Sequence, residues 1–395
     1  MPVSQSPDRQ GETMNKTRKF ISVLMTLSII TVVLAGCGQN ESAATKLSDR
    51  AVIQDKEFGG VYIDITIDEF NDMGFEFGDG VDITFSNGYE LKNIPYYNGY
   101  YTQPGDALLV GYPGYPHIEA AICNGPSLWK ELGLVEGDFA EITLVKKGEY
   151  LNIQEARDIH YQDDRSRYPD DATFANFRSV KAGNIRENTL YRSASPCDNQ
   201  HNRAPYTDDL AEEAGIDLIL NLADNDEKIN GYKEKSDFDS PYFWSLYTEG
   251  NVIPIALSAN YGADDFREKL ANGLREIIKK DGSILIHCTE GKDRTGFVCM
   301  LLEALCGAGY EEIENDYMIT YENYYGITTE TDKDKYDTLV DEVMIPMIRV
   351  FADDKNVDVK KADLSPYAEK YLKQSGLTEE EIGKIKERFG PPGRG

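Results

Sequence analysis

Between residues 51 and 151 apolar positions recur at every second residue. The stretches VYIDITI (61–67), VDITFSNGYEL (81–91), ALLVGYPGY (107–115) and FAEITLVKKGEYL (139–151) alternate or run apolar, as strands with one buried face do. Asn-Gly pairs at 87–88 and 98–99 punctuate them, and Asn-Gly supplies the positive φ that tight hairpin turns need. The spacing predicts a small β-rich domain over 51–151 with one short helix near SLWKEL (127–132). Its tyrosines, among them Tyr96, Tyr97, Tyr100, Tyr101, Tyr112 and Tyr115, are expected as cross-strand pairs on a half-buried sheet. A groove for a sugar or a base is the alternative.

The period disappears over NIQEARDIHYQDDRSRYPDDAT (152–173), which reads as a charged linker. Beyond it, over 174–360, strands and helices alternate, as in an α/β domain. LYRSA (190–194), IDLILNLA (216–223), NVIPIAL (251–257) and SILIH (283–287) read as strands, while YTDDLAEEAG (206–215) and DDFREKLANGLREIIKKDG (264–282) read as helices. Nearly continuous apolar strands imply a sheet covered on both faces. The tail, 361–395, predicts two helices, SPYAEKYLKQSG (365–376) and TEEEIGKIKERFG (378–390). Thr378 and Glu381 stand at capping-box spacing in the second. This hairpin is read as structural closure or partner docking.

Chemistry concentrates after SILIH, in HCTEGKDRTG (287–296). This places Cys288 at the carboxyl end of a central strand, where open α/β sheets bind ligands. Gly291 permits a tight turn, and the residues Thr289, Glu290, Gly291, Lys292, Asp293 and Arg294 can aim backbone N–H groups at one tetrahedral anion. The apolar run that follows predicts a helix whose N-terminus faces the same point. Thiolates are favoured at such places. The expected roles are Cys288 as nucleophile on phosphorus, Arg294 as a two-pronged clamp on phosphoryl oxygens, and Thr295 as a hydrogen-bond donor to the sulfur. Asp293 is the expected general acid, with Asp264 and Asp265 as the alternative and helix capping as the plain reading of that pair. His287 either tunes the cysteine or is simply buried at the strand end. Cys299 and Cys306 share a helix face and are expected in the core, while Cys197, His201 and Arg203 fall in a polar loop read as a solvated connection, with a rim of the pocket as the alternative. No metal site and no cofactor are expected.

The formal charge of −28 argues against a nucleic-acid partner. The six cysteines are spaced too irregularly for a disulfide framework. From Met14, a basic stretch holding Lys16, Arg18 and Lys19 precedes an apolar run from Phe20 to Ala35, which is the pattern of a secretory signal over 14–36. Residues 1–13 read as an upstream extension or a mis-assigned start. Leu34-Ala35-Gly36-Cys37 resembles a bacterial lipobox. That resemblance implies a lipid on Cys37, a polar tether over 37–50 and a place on the extracytoplasmic face of a bacterial membrane.

HCTEGKDRTG, with NFRSV (176–180) and NTLYRSASP (188–196), resembles the cysteine-dependent protein tyrosine and dual-specificity phosphatases, especially the bacterial branch with Gly-Lys-Asp-Arg in its loop. The resemblance covers about 176–350. It implies that family's fold, a mostly parallel central sheet flanked by helices, and a metal-free cysteinyl-phosphate mechanism with the aspartate beside the arginine as acid. The stretch FGDGVDITFSNGYELKNIPYYNGYYTQPGD (77–106) is similar to the C-terminal β-domain of the S-adenosylmethionine hydroxide adenosyltransferases, without that group's catalytic half. Three functions stay open: a phosphatase of phosphotyrosine or a related phosphate monoester, an inositol polyphosphate or phosphoinositide phosphatase, and a silent phospho-binding surface lipoprotein. A loop that is formally neutral counts against polyanions.

Overall fold

The computed structural model describes residues 45–391. The signal segment, Cys37 and residues 1–13 lie outside the described residues. Among those described, no helix is long and apolar enough to cross a membrane.

The N-terminal part is a closed barrel of seven strands: β1 (Lys46–Gln54), β2 (Val61–Ile63), β3 (Gly80–Phe85), β4 (Glu90–Tyr97), β5 (Ala107–Val110), β6 (Ile118–Ile122) and β7 (Phe139–Lys146). They close in the order β1-β2-β6-β5-β4-β3-β7. Across β3 and β7, Val81 faces Leu144, Ile83 faces Ile142 and Phe85 faces Ala140. The period-two residues thus fill the interior with Tyr96, Phe70 and Phe75. Helices Ile67–Asp72 and Leu128–Glu131 are capped by Thr66 and Ser127.

The structure departs from the sequence pattern at several points. The Asn-Gly at 87–88 does turn β3 into β4, with Phe85 N–H donating to Tyr89 C=O at 2.9 Å, but β4 pairs in parallel with β5. The second Asn-Gly therefore opens a crossover, not a hairpin. Strand β1 begins at Lys46, inside the stretch read as tether; exposed side chains at most of its positions conceal it.

The expected linker is also structured. Helix Leu151–Arg157 opens it, with Ile153 packed among the barrel's Tyr97, Leu108 and Cys123 and Ala156 in the core of the second part. Two apolar residues three apart share one helix face, and charged neighbours hide so short a stripe.

The second part is built on a five-stranded sheet of β8 (Arg178–Ser179), β9 (Leu190–Ser193), β10 (Ile216–Asn221), β11 (Val252–Pro254) and β12 (Ser283–His287), in the order β11-β10-β12-β9-β8. All pairings are parallel except β8 with β9. Leu218, Leu220, Ile284 and Ile286 pack with helices Asp264–Ile277 and Asp293–Leu305 in one core, whereas Ile219 and Leu285 pack with Phe243 and Leu246 in another. The register aligns Asn221 with His287, His287 with Ser193, and Asn221 with Pro254. Four strand ends therefore meet at one edge, and Cys288 is the next residue along.

The tail helices, Ser365–Gln374 and Glu379–Phe389, contribute Ala368, Leu372, Ile382 and Phe389 to the core. The capping box of Thr378 and Glu381 forms. The helix expected over 206–215 begins two residues earlier and runs Ala204–Glu213, because Pro205 in its first turn is already set to helical φ.

Candidate active site

Cys288 lies at the mouth of β12 and is 3 % exposed. The loop after it is held by its carbonyls. Thr289 C=O accepts from Ser195 N–H at 3.0 Å, Glu290 C=O from Tyr324 Oη at 2.8 Å, and Gly291 C=O from Arg192 Nη2 at 2.9 Å. Among the described residues no N–H of Thr289, Glu290, Gly291 or Lys292 donates to a protein acceptor. Carbonyls drawn outward turn the alternate face of the peptides inward, and those free donors, with the first turn of helix Asp293–Leu305, form a cradle for an anion. Gly291 has φ of +69°, and a Cβ there would stand 2.1 Å from Ser193 C=O. Only glycine lets the loop lie against β9 in this way.

Arg294 spans the loop. Its Nη2 donates to Thr289 Oγ1 and its Nη1 to Leu257 C=O, both at 3.2 Å. Leu257 follows Ala256, whose φ of +43° is a strained value for alanine; that kink places the carbonyl which aims the guanidinium. Thr295 is fully buried and its Oγ1 has no partner among the described residues, so it is a donor without an acceptor beside the loop that follows Cys288.

Asp293 is paired with Lys292 at 3.0 Å. Burial works to raise its carboxyl, but Lys292, Arg157 and Arg294 outweigh burial and hold it below the usual aspartate range. Lys292 also approaches Glu290 at 3.9 Å and lies over the Tyr321 ring. Burial disfavours its charge, yet Asp293, Tyr321 and Glu290 keep its pKa well above the ordinary lysine value. Asp264 and Asp265 lie on the exposed first turn of helix Asp264–Ile277. They pair there with Arg267 at 3.7 Å and Lys269 at 3.0 Å.

His287 is fully buried, with Nδ1 3.1 Å from Cys288 C=O. Burial pushes it down to about 4, so it is a neutral ring at neutral pH and not a cation beside the thiol. Cys299 and Cys306 are buried in the core. Among the described residues no cluster of His, Cys, Asp or Glu is arranged to hold a metal ion.

Several residues that build the site carry no signal of their own in the loop motif. Arg192 is fully buried, ion-paired to Asp316 at 2.5 Å, and donates to the loop. Arg178 pairs with the other oxygen of Asp316 at 3.0 Å and donates to Asn176 Oδ1 at 2.6 Å. Burial opposes the Asp316 charge, but Arg178 and Arg192 overcome it and hold the carboxyl far below its usual range. Such a paired, hydrogen-bonded set stiffens what it touches. The quoted segments NFRSV and NTLYRSASP contain Asn176, Arg178 and Arg192, so the signal was present without its role.

The loop read as solvated is packed instead. Arg203 is 3 % exposed and lies between the rings of Tyr161, Phe174 and Tyr324, each under 5 Å away. His201 bonds Tyr161 Oη at 2.7 Å, and that hydroxyl donates to Glu290 at 3.1 Å. Cation–π contacts with rings contributed by distant segments do not register in a local polarity pattern. Arg157, from the bridging helix, rests over the Tyr101 ring at 5.3 Å.

A family model described as "Tyrosine phosphatase family" matches residues 172–390. A tyrosine-protein phosphatase of Nostoc commune is 34% identical over 128 residues, which are 30% of this chain and 43% of that protein. A putative tyrosine-protein phosphatase of Cupriavidus necator is 26% identical over 155 residues, 34% of this chain and 54% of that one. The chain spans about half the length of these curated relatives. Among solved structures, the core catalytic domain of the PP-IP phosphatase SIW14 of S. cerevisiae is 20% identical, over 44% of this chain and 90% of that one, with a TM-score of 0.25.

Proposed function

Since the chain belongs to the tyrosine phosphatase family, we propose that it hydrolyses phosphotyrosine or a related phosphate monoester on Cys288. The observation that carries this reading is the loop from Thr289 to Lys292, with carbonyls anchored outward, free N–H groups and Arg294 across it. The mostly parallel sheet is, in this reading, the scaffold of a cysteine-dependent phosphatase.

The dianionic phosphoryl group lies on the free N–H groups, and Arg294 turns its fork to two of the oxygens. The Cys288 thiolate attacks phosphorus, forming a sulfur–phosphorus bond as the ester bond breaks. Asp293 gives its proton to the leaving oxygen. Water then attacks phosphorus and loses a proton to Asp293; the sulfur leaves as thiolate, and inorganic phosphate departs. Thr295 donates to the sulfur in this second step. In the free site three cations keep Asp293 ionised. An arriving dianion cancels their pull, which lets the carboxyl take up the proton that it must deliver.

One observation favours substrates with more than one phosphate. Arg157 adds a cation from outside the formally neutral loop and acts on Asp293. The experiment is release of inorganic phosphate from a phosphotyrosine peptide and from inositol hexakisphosphate. A kcat/KM for the peptide about tenfold or more above that for the inositol ester is expected. The reverse order moves the substrate class to polyanions, and release from neither ester contradicts the phosphatase reading.

A further inference from the structure

An acid stands in the loop that is to hold an anion. Glu290 is the second of the six residues between Cys288 and Thr295, and its own N–H is one of the free donors of the cradle. A carboxylate beside a bound dianion is unfavourable unless it is turned aside and held there. The structure holds this residue at three points. Its C=O accepts from Tyr324 Oη at 2.8 Å, its Oε1 accepts from Tyr161 Oη at 3.1 Å, and Lys292 Nζ stands 3.9 Å from its Oε2.

The holder is fixed in turn. A carboxylate only accepts hydrogen bonds, so Tyr161 gives its one hydroxyl proton to Glu290 and accepts from His201 Nε2–H at 2.7 Å. Beyond it, His201 Nδ1 lies 3.3 Å from Asp163, which is ion-paired with Arg203 at 2.8 Å. Burial first, and the Glu290 charge after it, push the Tyr161 hydroxyl far above the usual phenol range, so it remains a donor.

Lys292 is occupied from both sides. Its Nζ donates to both oxygens of Asp293, at 3.0 and 3.3 Å, and faces Glu290 as well. A lysine in such a loop would otherwise be a ready partner for a second phosphate. Glu290 Oε2 accepts no hydrogen bond among the described residues, and the side chain is 29 % exposed. What Glu290 offers a ligand is therefore an open negative charge. On the phosphatase reading of this loop, and from the anchored carboxylate, its open oxygen and the occupied lysine, we infer that Glu290 is a specificity-determining residue. It admits esters with one phosphoryl group in neutral surroundings and turns away esters with a second anionic group next to the first. Held to Tyr161, the carboxylate stands off a single seated phosphoryl group, whereas a second phosphate must bring its own charge past it. Like charges a few Å apart near a protein surface disfavour binding by on the order of tenfold or more.

The test is calorimetric titration of the full chain, at neutral pH and low ionic strength, with inorganic phosphate and with inositol hexakisphosphate, beside turnover of a phosphotyrosine peptide. Glu290→Gln keeps the size and the acceptor for Tyr161 without the charge. It should tighten the hexakisphosphate about tenfold or more and change inorganic phosphate by about threefold or less. Glu290→Asp keeps the charge, and should leave the ratio of the two Kd values within about threefold of the native ratio. The gain in Glu290→Gln should shrink at high salt, as a charge effect does. Circular dichroism checks that each variant is folded. Equal tightening of both anions in Glu290→Gln, an unchanged ratio there, or the same gain in Glu290→Asp overturns the inference. Turnover separates the two failures: a native chain that releases no phosphate from the peptide contradicts the phosphatase reading, while the ratio of Kd values still decides the selection.

Discussion

Cys288→Ser is expected to lower turnover of a phosphotyrosine peptide by on the order of ten-thousandfold or more, because a serine hydroxyl at this place stays protonated and is a far weaker nucleophile. The exchange of sulfur for oxygen leaves the surroundings intact. Cys288 is 3 % exposed, and its loop is fixed through its carbonyls by Ser195, Tyr324 and Arg192. Circular dichroism and the unfolding temperature should therefore be those of the native chain within a few degrees. A variant that is folded and keeps activity within about tenfold, a change of only about 1.4 kcal/mol in the transition state, removes Cys288 from the chemistry.

The second large effect is expected at Asp293. A phenolate with a pKa near 10 leaves poorly without a proton, so Asp293→Asn should cost about a hundredfold or more on phosphotyrosine and much less on an aryl phosphate whose phenol is strongly acidic. Its surroundings differ from those of its competitors. Asp293 is the first residue of the helix that follows the nest and is held by Lys292, whereas the Asp264 and Asp265 side chains extend into solvent, paired on their own helix. Asp264→Asn and Asp265→Asn should leave the leaving-group dependence unchanged. Equal losses on both substrates for Asp293→Asn make its role structural; leaving-group dependence at 264 or 265 moves the acid there.

What could be read in advance follows from how local the cause is. The strand Ser283–His287, the turn at Gly291 and the helix after it are written in adjacent residues, so the positions of the cysteine, the arginine and the cradle between them were all legible. The supports were not. Arg192, Asp316, Tyr324 and Asn176 meet the loop from four segments, and a buried ion pair looks in sequence like any two surface charges. Arg203 shows the same failure in a sharper form, since a polar loop around it suggested water and three rings bury it instead. In the barrel, the alternation of apolar positions gave strands readily. Closure did not follow from it, because β1 buries only Leu47 and Val52 and β5 joins β4 in parallel across a crossover. The tyrosines divided between the two readings: Tyr96 and Tyr97 are fully packed, while Tyr100, Tyr112 and Tyr115 line a cavity. Period alone does not tell which face of a closed barrel end remains open.

The central claim is that phosphate is transferred to Cys288 and released from it. Its most direct measurement is acid quench of the native chain during turnover of an aryl phosphate with an acidic phenol, followed by mass spectrometry of the peptide that contains residues 283–305. The account predicts a mass increase of one phosphoryl group on Cys288, formed at the rate of phenol release, and none in Cys288→Ser. Steady phenol release with the phosphoryl group on another residue, or with an unmodified Cys288 at every quench time and in Asp293→Asn as well, would contradict it.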